Sequence, residues 1–357
     1  MSPSSPTNSP MDKFNRSVLD IVGHTPIIKL QHTAKQVTSS IYVKLEYLNP
    51  GGSIKDRIGK YMCEQALKKG TLKPGGTIVE ATSGNTGIGI AMFAAINNMK
   101  AIFVMADKQS KEKIDVLRAF GAEVIICPTR VEHDDPRSYY SIAQKIADTI
   151  PNCFYANQYD NDDNAKTHYY STGPEIYNQT LGDFDYFVAG VGTGGTISGT
   201  SKFLKEKMKH LKTIGVDLKG SILSHYHETG KMIEPTPYAV EGVGSSFIPH
   251  NVDFKVIDEF VVVDDKESFE TTRILLNREA IYCGGSCGSV VAGALKHAAK
   301  QTSPKKYLVI LPDTGSRYLS KVYNNDWLKT NGFNPPEENT AIRKTISALI
   351  IKDVKLI

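Results

Sequence analysis

Lys55 stands in the run Asn49-Pro50-Gly51-Gly52-Ser53-Ile54-Lys55-Asp56-Arg57, where two glycines turn the chain into a helix start. A free lysine amine is protonated at neutral pH, and removing that proton costs roughly 4–5 kcal/mol. A helix N-terminus offsets only about 1 kcal/mol of this. Condensation with a carbonyl cofactor removes the obstacle, because an imine nitrogen does not carry the ammonium's pKa. Lys55 is therefore either an ordinary surface lysine or the site of a Schiff base.

Three more loops carry residue types that could do chemistry, two of them suited to an anion. In Thr82-Ser83-Gly84-Asn85-Thr86-Gly87, hydroxyls, glycines and an amide open a helix after the strand-like Thr77–Glu80. Such a helix start offers N–H groups to a carboxylate or phosphate, or else is a plain N-cap. Gly190-Val191-Gly192-Thr193-Gly194-Gly195-Thr196 follows another strand-like run and matches Gly-x-Gly-x-x-Gly, with Asp217 after the next strand. That is the dinucleotide fingerprint in its proper context. The flanking threonines suit a terminal phosphate better than a pyrophosphate, which is held mainly by backbone. Cys283-Gly284-Gly285-Ser286-Cys287-Gly288-Ser289 matches Gly-x-Ser-x-Gly, but the only later histidine, His297, precedes Asp313, so the order of a hydrolase triad fails. Cys283 and Cys287 lack a second pair to complete a metal site and read as buried small residues. His225-Tyr226-His227-Glu228 reads as a solvated loop, and His168 as a satisfied polar residue rather than a general base.

Alternating strand and helix patterns must position these loops. Ile41–Leu45, Thr77–Glu80, Ala101–Met105, Glu123–Ile126, Tyr186–Val191, Thr213–Val216 and Tyr307–Leu311 are short, apolar and β-branched. Asp56–Lys69, Ile88–Asn97, Lys111–Phe120, Ser138–Ile150, Ile197–His210, Lys266–Glu279 and Val290–Lys300 have helical spacing. This alternation predicts an α/β fold of parallel sheets, with ligands beyond the carboxyl ends of the strands.

The 357 residues suffice for about two domains. No apolar run approaches the ~20 residues of a membrane span. A net charge of +4 with scattered basic residues argues against nucleic-acid or membrane partners. Five widely spaced cysteines without a Cys-x-x-Cys pair point to a reducing, cytoplasmic setting.

Taken together, Gly23–Pro26, Gly51–Arg57, Thr82–Gly87, Gly192–Thr196 and Cys283–Ser286 resemble the motifs of the fold-type II, pyridoxal-phosphate-dependent β-replacement enzymes, the cystathionine β-synthase and cysteine synthase family. The resemblance runs from about Ile21 to Phe333. It implies two three-layer αβα domains around a cleft: 1–10 a disordered tail, 11–40 with 158–333 a larger phosphate-binding domain, 41–157 a smaller substrate-carboxylate domain, and 334–357 a C-terminal appendix. It implies pyridoxal 5′-phosphate bound through Lys55, with Asn85 on its 3′-oxygen, Gly192, Thr193, Gly194, Gly195 and Thr196 on its phosphate, and Ser286 at its ring nitrogen. Thr82, Ser83, Gly84 and Thr86 would clasp the substrate carboxylate, with Gln158, Gly242 and Gly244 also on the substrate side.

A serine at the ring nitrogen weakens the ring as an electron sink and favours β-elimination. The expected reaction is β-replacement on L-serine by L-homocysteine, giving L-cystathionine; the alternative is O-acetylserine with sulfide, giving cysteine. Ser245 and Cys287 depart from the tyrosine and alanine usual in cystathionine β-synthases, on the thiol side of the pocket. No cysteine precedes Cys63, and the residues after 333 are too few for a domain pair. A haem-free enzyme without a regulatory domain pair is expected, as a homodimer acting on small amino-acid and thiol substrates. Two other readings remain: an NAD(P)-dependent dehydrogenase using Gly190–Gly195 and Asp217, and a non-catalytic cofactor-binding relative.

Overall fold

Strands form where β-branched and apolar residues run together, and helices begin at the glycine-rich turns between them. The computed structural model describes residues 17–335 apart from 83, 108, 133 and 134. The expected tail at 1–10, most of the appendix at 334–357, and Ser83 therefore lie outside the described residues. In chain order, β1 (Ile27–Lys29), β2 (Ser40–Leu45), α1 (Lys55–Lys69), β3 (Thr77–Ala81), α2 (Asn85–Ile96), β4 (Lys100–Ala106), α3 (Lys111–Ala119) and β5 (Glu123–Cys127) come first. Then follow α4 (Tyr139–Thr149), β6 (Cys153–Tyr155), α5 (Asp163–Thr167), a π-helical turn (His168–Thr172) and α6 (Gly173–Thr180). The rest is β7 (Tyr186–Gly190), α7 (Gly195–Lys207), β8 (Lys212–Leu218), α8 (Leu223–Thr229), β9 (Glu259–Val263), α9 (Asp265–Glu279), α10 (Gly285–Ala298), β10 (Lys306–Leu311) and α11 (Asn325–Thr330).

The strands make two sheets, of order β1-β2-β10-β7-β8-β9 and β5-β4-β3-β6. Every pairing is parallel except the antiparallel β1–β2 edge. Each sheet buries both faces, as the period-two alternation of its strands requires. In the larger sheet Tyr307, Val309 and Leu311 of β10 pack with α9 and α10, while Leu308 and Ile310 pack with α6 and α7. In the smaller, Phe103 and Met105 of β4 face α1 and α2, and Val104 faces α4. This is the expected pair of three-layer αβα units. β2 pairs with β10 in the larger sheet, so the boundary expected at residue 41 falls inside a strand of that sheet.

Three short strands, β1, β6 and β9, were not marked by the apolar pattern; β1 and β6 have three residues each, too few for a period to show. His225–Glu228 is helical, within α8, rather than loop, and Gly230 closes that helix at φ 67°. Among the described residues no group of three or more His, Cys, Asp or Glu could hold a metal, and no helix is long and apolar enough to cross a membrane.

Helix α2 is buried on all sides from Thr86 to Ala94, so it is a core helix with no polar face. It lies backbone to backbone with α1. A Cβ on Gly59 would come within 2.5 Å of the Gly89 carbonyl carbon, and one on Gly89 within 2.8 Å of the Lys55 oxygen. These two glycines set the spacing between the helix that starts with Lys55 and the helix that starts with Asn85. Gly59→Ala is expected to destabilise the fold by about 2 kcal/mol or more, because backbone must move to admit the methyl. Urea denaturation of the two proteins checks this, and an unchanged midpoint would contradict it.

Candidate active site

Helices α2, α7 and α10 all start earlier than their apolar spacing indicates, at Asn85, Gly195 and Gly285 rather than Ile88, Ile197 and Val290. Their first turns hold small and polar residues, which carry no apolar period. None of the three N-cap residues, Gly84, Gly194 and Gly284, makes a side-chain capping bond. Elsewhere the chain does cap: Ser138, Asp264 and Asn324 each accept an amide at the start of their helix. With no side chain on the N-cap itself, the first turns of these helices offer N–H groups to another acceptor, except that in α2 the Gly87 amide is taken by Thr82 Oγ1.

Lys55 is the first residue of α1. Its loop is strapped to the end of β10, since Ile54 donates its N–H to the Pro312 carbonyl at 2.8 Å and Ser53 bridges Asp313. Lys55 Nζ donates to Thr193 Oγ1 at 3.3 Å. Desolvation lowers the amine's pKa to about 8, with the Glu80 carboxylate pulling the other way. At that value, deprotonation at pH 7 costs about 1.4 kcal/mol, far below the cost for a solvated lysine. Burial of the amine thus does most of what the helix start alone could not.

Thr193 belongs to the Gly192–Thr196 turn. Gly194 holds φ 88°, a left-handed conformation in which its missing side chain leaves room for Val252. A Cβ on Gly192 would come within 2.6 Å of the Gly242 oxygen, so the two glycine loops lie edge to edge. Lys55, Thr193 and Thr196 line a small cavity with Gly192, Gly194 and Gly242. Its wall carries one cationic side chain, two hydroxyls and no carboxylate. That donor set fits the phosphate of pyridoxal phosphate with an amine beside it.

In the neighbouring loop, Thr82 Oγ1 accepts the amides of Gly84 and Gly87, at 3.0 and 3.4 Å. Thr86 donates to Gln158 Oε1 at 2.6 Å, and Gln158 Nε2 donates to the Ala81 carbonyl at 3.1 Å. The Gln158 amide reaches Glu80, whose carboxyl is fully buried and pushed up to about 8 by desolvation, against the bonds from Gln158. Lys113 lies along Gly84 and pairs with Glu241 at 2.5 Å, and Lys321 holds the other Glu241 oxygen at 2.5 Å. Through Glu241 the Gly242–Gly244 turn, whose Val243 is buried, is tied to the smaller unit. Ser245 turns inward, donating to the Phe247 carbonyl at 2.7 Å.

Asn85 and Ser286 meet at Asp313. Ser286 Oγ lies 3.5 Å from one carboxylate oxygen, while Asn85 Nδ2 donates to the other at 2.8 Å. Tyr318 donates to that same second oxygen at 2.5 Å, and Arg317 donates to Asn85 Oδ1 and to the Gly51 carbonyl. The structure thus groups Lys55 with the Gly192–Thr196 turn, Thr86 with Gln158, and Asn85 with Ser286. Asp313, Tyr318, Arg317, Glu80 and Lys113 were not singled out by sequence reasoning. Asp313 carried one signal, its place just beyond the carboxyl end of β10. Asp217 is fully buried and accepts the amides of Leu218 and Ser224 at 2.9 and 2.8 Å, so it is spent inside the fold rather than offered to a ribose. Cys283 and Cys287 are buried, as expected.

The family model described as pyridoxal-phosphate dependent enzyme matches residues 18–313. Cystathionine beta-synthase of Apis mellifera is 45% identical over 331 residues, 92% of this chain and 65% of that protein. The chain therefore spans less than two thirds of that relative's length. Cysteine synthase of Helicobacter pylori is 38% identical over 304 residues, 85% of this chain and 96% of that protein. The crystal structure of an O-acetylserine dependent cystathionine beta-synthase from Helicobacter pylori matches with a TM-score of 0.79 at 38% identity, covering 87% of this chain and 99% of that one.

The buried acids of the site give a pH signature. Desolvation raises Glu80 from 4.5 to about 8, and Asp56 from 3.8 to about 7 despite Arg317 nearby. Between these limits the folded protein holds protons that the unfolded chain has lost, so stability falls as pH rises through the window. Glu80→Gln removes one of these protons from the balance. Its stability relative to wild type should rise between pH 5 and pH 8 by on the order of 2 kcal/mol. Urea denaturation at the two pH values measures this; a pH-independent difference would refute the assignment.

Proposed function

Because the chain belongs to the family of pyridoxal-phosphate dependent enzymes, we propose that it catalyses β-replacement on L-serine by L-homocysteine, giving L-cystathionine. The observation that carries this reading is the desolvated Lys55 amine beside the Thr193 hydroxyl, in a cavity without a carboxylate. The similarity to cystathionine beta-synthases supports the choice of substrates.

Pyridoxal phosphate, when bound, supplies a carbonyl that condenses with amines and a conjugated ring that draws electrons from the substrate's α-carbon. Lys55 would hold it covalently, the Gly192–Thr196 turn would hold its phosphate, and Ser286 and Asn85 would meet its ring nitrogen and 3′-oxygen. Thr82, Ser83, Gly84 and Thr86 would bind the substrate carboxylate, Thr86 through its backbone N–H, because its hydroxyl proton goes to Gln158 Oε1 at 2.6 Å. With the cofactor in place, Lys55 Nζ would be the group that takes the substrate's α-proton and later returns it. An amine whose pKa is lowered to about 8 does both near neutral pH. Gly242 and Gly244 flank the thiol substrate, without side chains to block it.

A second reading has its own support: the cysteine synthase relative is matched over 96% of its length, and the solved Helicobacter pylori neighbour is described as O-acetylserine dependent. In that reading the leaving group is acetate instead of hydroxide.

Three measurements test the proposal. Borohydride reduction of protein loaded with pyridoxal phosphate, followed by peptide mass spectrometry, should place the cofactor mass on Lys55; a different lysine overturns the assignment. Product analysis then supplies L-homocysteine with either L-serine or O-acetyl-L-serine. Cystathionine from L-serine supports the first reading, and product from O-acetylserine alone transfers support to the second. Lys55→Ala should lower turnover by about 10²–10⁴-fold, the usual worth of a positioned proton-transfer group.

A further inference from the structure

We propose that Asn164 and His168 are positioning residues that set the proton direction of Thr193 and Thr196, so that both hydroxyls reach a phosphate dianion as donors. This rests on reading Gly192–Thr196 as a phosphate cradle. Asn164 lies on α5 and His168 opens the π-helical turn, and both are fully buried. Helix α7 receives them through two glycines at the same spacing. A Cβ on Gly195 would come within 2.0 Å of Asn164 Oδ1, and one on Gly199 within 2.0 Å of the Ala165 oxygen and 3.0 Å of His168 Cβ. Any larger residue at either position would push this segment away from the cradle.

Thr193 Oγ1 receives Asn164 Nδ2 at 3.0 Å and Lys55 Nζ at 3.3 Å. Asn164 Nδ2 can only donate, and so can Lys55 Nζ while it is protonated, so the threonine's own proton must point elsewhere. The orientation of the Asn164 amide is fixed, because the same nitrogen donates to the Gln158 carbonyl at 2.7 Å; a flipped amide would set oxygen against oxygen.

His168 treats Thr196 in the same way. Its Nδ1 lies 2.9 Å from Thr172 Oγ1 and its Nε2 lies 3.2 Å from Thr196 Oγ1. Burial, with Lys55 and Arg57 nearby, keeps the ring neutral, so it carries one N–H. Thr172 is fully buried, and its hydroxyl has no other partner among the described residues. With the proton on Nδ1, the Thr172 hydroxyl proton would be buried without an acceptor. With the proton on Nε2, Thr172 donates to Nδ1 and His168 donates to Thr196, and no donor is orphaned. Thr196 then keeps its own proton for the cradle.

The direct test is a long-range 15N–1H spectrum of the histidines in full-length protein loaded with pyridoxal phosphate, with His168 assigned by its loss in His168→Gln. The Nε2–H tautomer is expected, and an Nδ1–H signal overturns the inference. The second test is equilibrium dialysis with pyridoxal phosphate and with pyridoxal, which lacks the phosphate. His168→Phe should weaken binding of the phosphorylated form by about tenfold, while His168→Gln, which keeps a donor at the Nε2 position, largely restores it. In a Thr196→Val background His168→Phe should cost nothing further, whereas an equal loss there means that His168 acts on the fold and not through Thr196. Asn164→Asp should show a loss of similar size. If wild-type protein binds pyridoxal as tightly as pyridoxal phosphate, the cradle reading fails and this inference with it. If wild type prefers the phosphate and the variants keep that preference, only the present inference fails.

Discussion

Glycine at the N-cap of three helices, α2, α7 and α10, is the constraint on which the rest of the site depends. An amide left for a ligand cannot also be spent on a serine or aspartate cap, so the turn before each helix ends in glycine. Two of those glycines, Gly84 and Gly194, hold positive φ that other residues would resist. The third, Gly284, is needed for space, since a Cβ there would lie 2.2 Å from Asp313 Oδ1. Each helix pointing at the cleft is thus anchored by packing along its length. The close contact of α1 with α2 through Gly59 and Gly89 is the clearest case.

An ionic cluster behind α1 holds the first turn in place. Arg57, two residues beyond Lys55, donates to both oxygens of the fully buried Glu46 at 2.7 Å and to Glu175 at 2.9 Å. Lys44 adds a 2.6 Å bond to Glu175 from β2. Desolvation alone would raise Glu175, but Arg57 and Lys44 outweigh it and bring its carboxyl to about 2. Such a cluster adds little net stability over an apolar core, yet losing one member typically costs about 3–5 kcal/mol. Its effect is positional: it ties the start of α1 to β2 and α6, both parts of the larger unit. Lys55 is therefore fixed relative to the Gly192–Thr196 turn, even though α1 itself packs in the smaller unit.

The two units also grip each other over the substrate side. Lys113 on α3 reaches Glu241, and Glu112 accepts the amide and hydroxyl of Ser320, both at 3.0 Å. Lys113 also passes along Gly84, so the same side chain touches the Thr82–Thr86 loop and the larger unit. Any opening of the cleft at this edge must break the Lys113–Glu241 pair.

The loops were legible in the sequence because their chemistry is local. Lys55, Asn85, the Gly192–Thr196 turn and Ser286 announce themselves by residue type beside a strand or helix pattern, and every strand longer than three residues except β9 appeared within a residue or two of its ends. The three-residue strands and the glycine-rich first turns of α2, α7 and α10 escaped because so short or so polar a run carries no period. What only the tertiary structure decided is convergence and dryness. Asp313 meets Asn85 across 228 positions of chain, and His168 reaches Thr196 only through the packing of α7 on the π-helical turn. The lowered pKa of Lys55 belongs to this second class. It arises from water excluded by segments scattered along the chain, a quantity that no local run of residues encodes.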